Sequence, residues 1–465
     1  MELSERKEPL GVMDRAGFAL QEARGYALEA FPAVRMEGPV NADLMKQAFM
    51  ETLELFPRLR HVVEVDRSGR RAKLYWREAL GDLGHAFELH DLEIVEDTLE
   101  AADAAFNRVQ HDLINSAGND MTRDIGIKIY LYRANPKRHY ALMRFNHIMT
   151  DGRGMILAMA FWGLRYLNLL EEPDAPPQDS PFTMPEDEQS VTIRSLLKDI
   201  GFRGMFRFVK EAIRNIWLAL RMPAAHLTDY VYGLEGKFNT YDSYLAPEKA
   251  AAIRRRAKAM GMTINDLALA AGYHAVLRFC NDEGIEVKRI ALNSPKDIRT
   301  KGSSSLDNLV VARQISLVPG RIRDDRHLIA TIREELERLT DSKVYYLGRI
   351  GIFLLGMLPH DGAVRMLRRS MARGNNPTAS LLISNVGEVM NYLSYQGVGD
   401  TRAEHVYHGI RGQYPPGYMT PLLSFKGTMI LGMGYYEPAM TEEKCRRFGQ
   451  YFFEEMERIS RLDGE

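Results

Sequence analysis

The sequence predicts an α/β protein of two domains, in which helices flank mixed β-sheets. Helical and strand-like patterns alternate along the 465 residues, a length that suits two hydrophobic cores better than one. The tract from Glu171 to Ser190 is rich in Pro, Asp and Glu and has little periodicity, which is typical of an exposed crossover. We therefore predict an N-terminal domain over residues 1–175, a linker over 176–190 and a C-terminal domain over 191–465.

In the N-terminal part, local patterns predict a helix, a hairpin, a second helix and two paired strands. The predicted ranges are helix 42–55, hairpin 60–76, helix 99–115, and strands 127–133 and 139–145. The hairpin would turn at Arg67-Ser68-Gly69, and the two strands are separated by Asn135-Pro136-Lys137-Arg138. Both segments have the glycine, proline and short polar residues that favour turns.

The C-terminal part has the same alternation. The predicted ranges are helices 247–260, 263–280, 324–339 and 441–459, and strands 287–293, 379–383, 418–424 and 428–435. Gly261 is a plausible stop for the first of these helices, and Thr263 with Asp266 has the spacing of a capping box at the start of the second. Thr441 followed by two glutamates predicts the start of the last helix.

His147, Asp151 and Gly152 form a His-x-x-x-Asp-Gly pattern directly after the second predicted strand of the N-terminal part. A histidine at a strand end can take a proton from a hydroxyl or an amine at neutral pH, which suits a general base. We expect Asp151 to brace the turn and Gly152 to adopt a backbone angle that other residues resist. The alternative is that His147 only caps or braces the strand end.

Four further segments accompany this pattern in a fixed order. They are Gly38–Leu44 with Phe56-Pro57-Arg58-Leu59-Arg60, Thr263–Leu267, Asn293–Arg299 and Ile383–Gly387. Together they resemble the superfamily of CoA-dependent acyltransferases and peptide-synthetase condensation domains over most of the chain. The resemblance is nearest to the bacterial branch of wax ester synthases, diacylglycerol acyltransferases and polyketide-associated acyltransferases.

The chain departs from the family pattern in three respects. Asn146 stands where many condensation domains have a first histidine. Ser384-Asn385-Val386-Gly387 occupies the region of the plant-type Asp-Phe-Gly-Trp-Gly motif, which favours the bacterial branch. The same segment lacks the proline that usually follows Ser-Asn-x in the wax synthase form, which counts against a wax ester product.

The resemblance implies two chloramphenicol-acetyltransferase-like domains with a channel between them. It implies that His147 is the general base of an acyl transfer that has no covalent enzyme intermediate. The amide of Gly152, or Ser384 or Asn385, would stabilise the oxyanion. Asp151 would point away from the substrate and pair with an arginine, for which we choose Arg299.

The same resemblance defines the substrates that we expect. The donor would be an acyl thioester of CoA or of an acyl carrier protein, and the protein would need no cofactor. The acceptor would be a hydrophobic alcohol or a lipid rather than an amine. Two alternatives stay open: a free-standing condensation enzyme that forms an amide, and a non-catalytic member that binds a lipid or a carrier protein.

Charge, residue spacing and the first residues argue against several other classes of protein. A formal net charge of −1 gives no global field that would attract nucleic acid. The two cysteines, Cys280 and Cys445, lie far apart without a metal-like spacing, which indicates a reduced, cytoplasmic protein. His405 and His408 lack a nearby third ligand, so we predict no metal site. The first ten residues hold no apolar core of a signal peptide.

Two segments combine bulky apolar residues with positive charge. Residues 194–221 hold seven basic and two acidic side chains, and residues 343–373 hold six basic side chains and one acidic side chain. Such segments either lie in a membrane interface or pack as amphipathic helices with solvated arginines. We therefore expect a cytoplasmic protein with peripheral membrane contact through these two segments.

Overall fold

The structure is a computed structural model. It describes residues 2–69, 71–172, 193–228, 235–299, 305–322, 324–373, 379–389, 401–411 and 420–462. The predicted linker 176–190 lies outside the described residues. Within the described ranges, no helix is long and apolar enough to cross a membrane.

Helices and strands alternate along the chain, as the sequence predicts. The described helices are α1 (Val12–Arg24), α2 (Ala42–Leu55), α3 (Leu99–Asn115), α4 (Gly152–Glu171), α5 (Ile193–Arg221), α6 (Pro247–Ala259), α7 (Ile264–Asp282), α8 (Asp325–Ser342), α9 (Tyr346–Met357), α10 (His360–Ala372) and α11 (Glu442–Ile459). The described strands are β1 (Glu2–Leu3), β2 (Glu8–Pro9), β3 (Glu29–Ala30), β4 (Ala33–Glu37), β5 (His61–Asp66), β6 (Lys73–Leu80), β7 (Phe87–Asp91), β8 (Ile127–Asn135), β9 (Arg138–Asn146), β10 (Lys237–Leu245), β11 (Ile290–Asp297), β12 (Val310–Leu317), β13 (Leu381–Glu388), β14 (Arg402–Tyr407), β15 (Thr420–Phe425) and β16 (Thr428–Glu437).

The sheet of the N-terminal half has the strand order β14-β4-β9-β8-β7, and β3 pairs with β9. Alternate side chains of a strand point to opposite faces, and in the central strands β8 and β9 the side chains of both faces are mostly buried. Ile129 and Met143 pack on the side of α2 and α4, whereas Tyr130 and Tyr140 pack on the side of α3. This packing fixes the end of β9, the point at which the chain turns into α4.

The sheet of the C-terminal half has the order β10-β16-β15-β13-β11-β12. Strand β13 runs parallel to both β11 and β15, while the other pairs are antiparallel. Helices α7 and α11 cover this sheet with the largest continuous core of the described chain. A smaller sheet of β1, β6, β2 and β5 completes the architecture, which is mixed sheets flanked by helices, as predicted.

Strand β14 crosses from the C-terminal half into the N-terminal sheet. It pairs antiparallel with β4, with Val406 opposite Val34. Its two neighbouring histidines are engaged locally, because His405 contacts the Tyr244 hydroxyl and His408 contacts the Asp242 carboxylate. The division into 1–175 and 191–465 stays a prediction, since this strand belongs to the N-terminal sheet.

Several predicted elements coincide with observed ones. Helices 42–55 and 99–115 are α2 and α3, and the capping box of Thr263 and Asp266 is present at the start of α7. The strand predicted over 287–293 instead runs from Ile290 to Asp297, pairing with β12 along its whole length. The segment 343–373 is two helices, α9 and α10, which are separated at Leu358 and Pro359.

Candidate active site

The loop of residues 147–151 connects the end of β9 to the start of α4 and carries His147. Asn146, the last residue of β9, is fully buried. Its side chain exchanges two hydrogen bonds with Gln21 of α1, at 2.6 and 3.2 Å, and its Oδ1 accepts the amide of Ile148 at 3.0 Å. Asn146 therefore joins the turn to α1 and positions the backbone that carries His147.

Asp151 closes the loop and caps α4. Its Oδ1 accepts the backbone amides of Arg153 at 3.1 Å and Gly154 at 3.0 Å, which are first-turn donors that a helix leaves without a partner. The same carboxylate receives a hydrogen bond of 2.9 Å from Nη2 of Arg299. Both side chains are buried, so the pair forms inside the protein and not in solvent.

Arg299 belongs to a segment that folds back on the loop from the C-terminal half. Its Nε donates to the carbonyl of Ser305 at 2.9 Å, and its Nη1 donates to Asp297 Oδ1 at 3.2 Å. Asp297 also accepts from Arg153 Nε at 3.1 Å. These bonds satisfy a buried guanidinium and place the end of β11 beside the start of α4.

Residues 305–309 hold the loop directly. Asn308 Nδ2 donates to the carbonyls of His147 at 3.2 Å and Ile148 at 3.1 Å. The amide of Leu309 donates to Asp151 Oδ2 at 2.8 Å. Arg349 of α9 holds the segment in turn, because its Nη2 donates to the Asn308 carbonyl at 2.7 Å. No motif marks this segment in the sequence, where polar and apolar residues alternate as Ser305-Leu306-Asp307-Asn308-Leu309.

A second arginine anchors the loop from the N-terminal half. Arg58 lies in the 3-10 turn Pro57–Arg60 that follows α2. Its Nε donates to the Met149 carbonyl at 2.8 Å, and its Nη2 donates to Asp14 Oδ1 at 3.2 Å. The Pro57-Arg58-Leu59-Arg60 run thus fixes the backbone near His147 through Arg58.

The side chain of His147 differs from the rest of the loop, because the backbone of this residue is hydrogen-bonded whereas its ring has no described hydrogen-bond partner. Its backbone is fixed, because its amide donates to the Leu28 carbonyl at 2.7 Å and its carbonyl accepts from Asn308. The ring lies 6.1 Å from the ring of Phe145, is half-buried, and hydrogen-bonds to no described residue. A rigidly held histidine with free ring nitrogens can accept a proton from a bound molecule.

Gly152 differs from the sequence-based expectation. It is the first residue of α4, is absent from the residues with positive φ, and has no described atom within 4 Å of where a Cβ would lie. The expectation of a special backbone angle at Gly152 was therefore wrong. The constrained position is Gly154, where a Cβ would lie 1.9 Å from Thr150 Oγ1 and 3.1 Å from the Leu306 carbonyl.

The remaining candidates lie on β13. Ser384 is half-buried and makes no hydrogen bond to a described residue, whereas Asn385 is exposed and its Oδ1 accepts the Gly387 amide at 3.1 Å. No hydrogen bond joins either residue to the His147 loop within the described ranges. Because β13 is parallel to β11, its C-terminal end lies at the sheet edge that also carries Asp297.

No protein-family model and no curated protein sequence matches this chain. Solved structures are similar to it over nearly the whole length. The first condensation domain of the CDA synthetase has a TM-score of 0.70 at 12% identity, with 99% of this chain and 98% of that chain covered. Trichothecene 15-O-acetyltransferase from Fusarium sporotrichioides has a TM-score of 0.67 at 13% identity, with 97% and 95% covered.

A third similar structure is a mutant starter condensation domain of rhizomide synthetase in complex with C8-CoA and Leu-SNAC. Its TM-score is 0.63 at 13% identity, with 98% of this chain and 94% of that chain covered. Sequence identity at this level leaves the fold as the shared property. The chain has the fold of condensation domains and of an O-acetyltransferase, in mixed sheets flanked by helices.

Proposed function

We propose that the protein is an acyltransferase that moves an acyl group from a thioester donor to the hydroxyl of a hydrophobic acceptor. The single observation that carries the proposal is that the His147 ring, which hydrogen-bonds to no described residue, lies on a loop held from both halves of the molecule. Arg58 holds the loop on one side, and Asn308 and Arg299 hold it on the other. A buried scaffold of this kind limits the motion of a general base and preorganises it.

In the proposed reaction His147 takes the proton of the acceptor hydroxyl while the oxygen attacks the thioester carbonyl. The tetrahedral intermediate then collapses, the C–S bond breaks, and the protonated imidazole returns its proton to the leaving thiolate. The products are an ester and a free thiol, and no acyl group is attached to the enzyme.

The oxyanion of that intermediate needs hydrogen-bond donors. The amides of Arg153 and Gly154 are occupied by Asp151, whereas the amide of Gly152 has no acceptor among the described residues. It lies at the N-terminus of α4, where a helix favours negative charge. The hydroxyl of Ser384, which makes no hydrogen bond to a described residue, is the second candidate donor. Asn385, whose Oδ1 accepts the Gly387 amide, is the third.

The donor in this proposal is an acyl thioester of CoA or of an acyl carrier protein. The similar rhizomide domain is described in complex with C8-CoA, and the similar Fusarium enzyme is described as an O-acetyltransferase, so both support this reaction class. The acceptor is proposed as a hydrophobic alcohol or a lipid, in keeping with the wax ester synthase and diacylglycerol acyltransferase likeness. Membrane contact through residues 194–221 and 343–373 would bring the protein to such an acceptor.

Amide formation is the second candidate, because condensation domains are prominent among the similar structures. The test is incubation of the purified protein with a panel of acyl-CoA and acyl carrier protein thioesters, together with a lipid extract or a set of amines. Thiol release and new acylated products are followed by mass spectrometry, with His147→Ala as control. An ester that only the wild type makes supports the proposal, an amide supports the second candidate, and no product with any donor supports a binding role.

A further inference from the structure

Helix α5 exposes an unusual row of large apolar side chains. Phe202 is 85% exposed, Phe206 75% and Leu220 79%, and Trp217 is 55% exposed. With Val209, Ile213 and Ile216 they recur at intervals of three and four residues, so they share one face of the helix. A soluble protein rarely leaves so many large apolar groups in one stripe without a surface that covers them.

The opposite side of α5 already has its contacts. Phe208 and Ala212 are buried in the core of the C-terminal half, and α5 packs on α8. Glu211 is buried and paired with Arg338 of α8, and Asp199 is paired with Lys343. The apolar stripe is therefore not a poorly packed core face but a separate face that points away from the body.

A third face of α5 is cationic. Arg203, Arg207 and Lys210 are exposed, lie beside the apolar stripe on the helix, and form no ion pair with any described residue. The two acidic residues of the helix, Asp199 and Glu211, are both ion-paired with basic residues outside α5. The free charge next to the stripe is thus positive, which matches a surface that is both apolar and anionic.

Helix α9, next to α5, adds further exposed apolar side chains to this surface. It packs against α5, and Tyr346 at its start donates a hydrogen bond of 3.0 Å to Asp199 of α5. Its exposed side chains include Ile352, Leu354 and Met357, whereas its one charged residue, Arg349, is buried. No charged side chain interrupts the exposed surface of α9.

We propose that α5, together with α9, binds the surface of a membrane that contains anionic lipids. The apolar stripe would enter the interfacial region, with Phe202, Phe206 and Trp217 at a depth that aromatic residues favour, and the cations would contact the headgroups. Gly201, with φ 69°, breaks the helix just before the stripe and allows residues 202–221 to lie at an angle to the preceding turn.

Helix α9 is connected to the His147 loop through its buried residue Arg349, which donates to the Asn308 carbonyl, and Asn308 in turn donates to the loop carbonyls. A protein docked in this way would present its candidate active site close to lipid acceptors. That consequence rests on the proposed function, whereas membrane binding itself does not, so the two can fail separately.

Intrinsic fluorescence offers a selective test. The chain has three tryptophans, and Trp76 and Trp162 are each 6% exposed, so Trp217 is the one that solvent reaches. We expect vesicles that contain phosphatidylglycerol to shift the tryptophan emission to the blue and to co-sediment the full-length protein. Phosphatidylcholine vesicles should bind at least about tenfold more weakly, and the difference should shrink in high salt.

Two variants separate the apolar and the electrostatic contributions. Phe202→Ser with Phe206→Ser and Leu220→Ser should lower the partition coefficient at least about tenfold, because it removes most of the inserted apolar area. Arg203→Glu with Arg207→Glu and Lys210→Glu should abolish the preference for anionic vesicles. If the triple serine variant does not fold, Phe202→Ser alone tests the same face.

Matched controls are available away from this surface. Val95 is 94% exposed in the loop before α3, and Arg108 is an exposed cation on α3, so Val95→Ser and Arg108→Glu should bind vesicles like the wild type. Absence of binding to either type of vesicle, or binding that the stripe variants retain, would overturn the proposal. So would a dimer in sedimentation velocity that the stripe variant dissociates, since a second copy would then cover the stripe.

Discussion

Arg299 and Asp151, 148 residues apart in the sequence, form a buried ion pair of 2.9 Å between the two halves of the molecule. Asp151 caps the helix that follows the His147 loop, and Arg299 begins the return of the chain from β11 to that loop. The position of His147 therefore depends on a contact that neither half can form alone.

Removal of Arg299 should destabilise the protein strongly. We expect Arg299→Met to cost about 3–5 kcal/mol, because the Asp151 carboxylate stays buried without its ion-pair partner. Asp151→Asn should cost less than Arg299→Met, because Arg299 keeps its ion pair with Asp297 at 3.2 Å. The free energy of unfolding from chemical denaturation measures this cost. Arg461→Ala, which breaks the exposed pair with Glu457, serves as the control and should cost about 0–1 kcal/mol. Equal losses in the two pairs would contradict the role assigned to Asp151 and Arg299.

Asn308→Ala should separate loop position from overall stability. The variant loses two hydrogen bonds to the loop carbonyls and should fall in kcat/KM by about tenfold to a hundredfold. Asn115→Ala is the matched control, since Asn115 also joins the two halves by two side-chain bonds, to the amide and carbonyl of Phe238. Both variants should lose about 1–2 kcal/mol of stability. A comparable loss of activity in Asn115→Ala would show that joining the halves, and not holding the loop, is what matters.

The two glycines at the start of α4 should differ in their tolerance of a methyl group. Gly154→Ala forces a Cβ against Thr150 and Leu306, so we expect a destabilisation of about 1–3 kcal/mol. Gly152→Ala meets no described atom and should change stability by less than about 1 kcal/mol. The thermal unfolding midpoints of the two purified variants measure this difference. A Gly152→Ala variant as destabilised as Gly154→Ala would contradict the prediction, because Gly152 has an ordinary helical conformation.

Asp325 should make stability dependent on pH in the acidic range. Burial opposes ionisation, but hydrogen bonds from His274 and Arg458 outweigh it and hold the pKa of this carboxyl well below its ordinary value. A depressed pKa contributes stability above about pH 4, and the contribution is lost as the pH falls toward the pKa of the folded state. Asp325→Asn should therefore be less stable than the wild type at pH 7, and the gap should narrow below about pH 4. A gap that stays constant or widens on acidification would contradict this linkage.

The local pattern of the sequence was sufficient for elements that local contacts determine. The residue ranges of α2 and α3 and the capping box of α7 follow from helix periodicity and from side chains three residues apart. The fold class followed from the same alternation together with the family likeness.

Contacts between segments that lie far apart in the sequence could not be predicted from local patterns. The pairing of β14 with β4 joins residues more than 360 positions apart, and no local signal at Arg402–Tyr407 distinguishes a strand of one sheet from a strand of the other. The role of Asn308 was not predicted for the same reason, because it depends on hydrogen bonds to the carbonyls of His147 and Ile148, about 160 positions earlier in the sequence. At Gly152 the motif led to a wrong backbone expectation, since the steric constraint sits two residues later, at Gly154.

The most direct test of the account is the rate of acyl transfer by His147→Ala with an active acyl thioester and acceptor. We expect a loss of about 10²–10⁴-fold, which is the typical contribution of a general base, with an unchanged thermal midpoint because the ring contacts no described hydrogen-bond partner. His90→Ala, at an exposed histidine of β7, should keep the wild-type rate. A folded His147→Ala variant that releases thiol within a few-fold of the wild-type rate would contradict the assignment of His147 as the base.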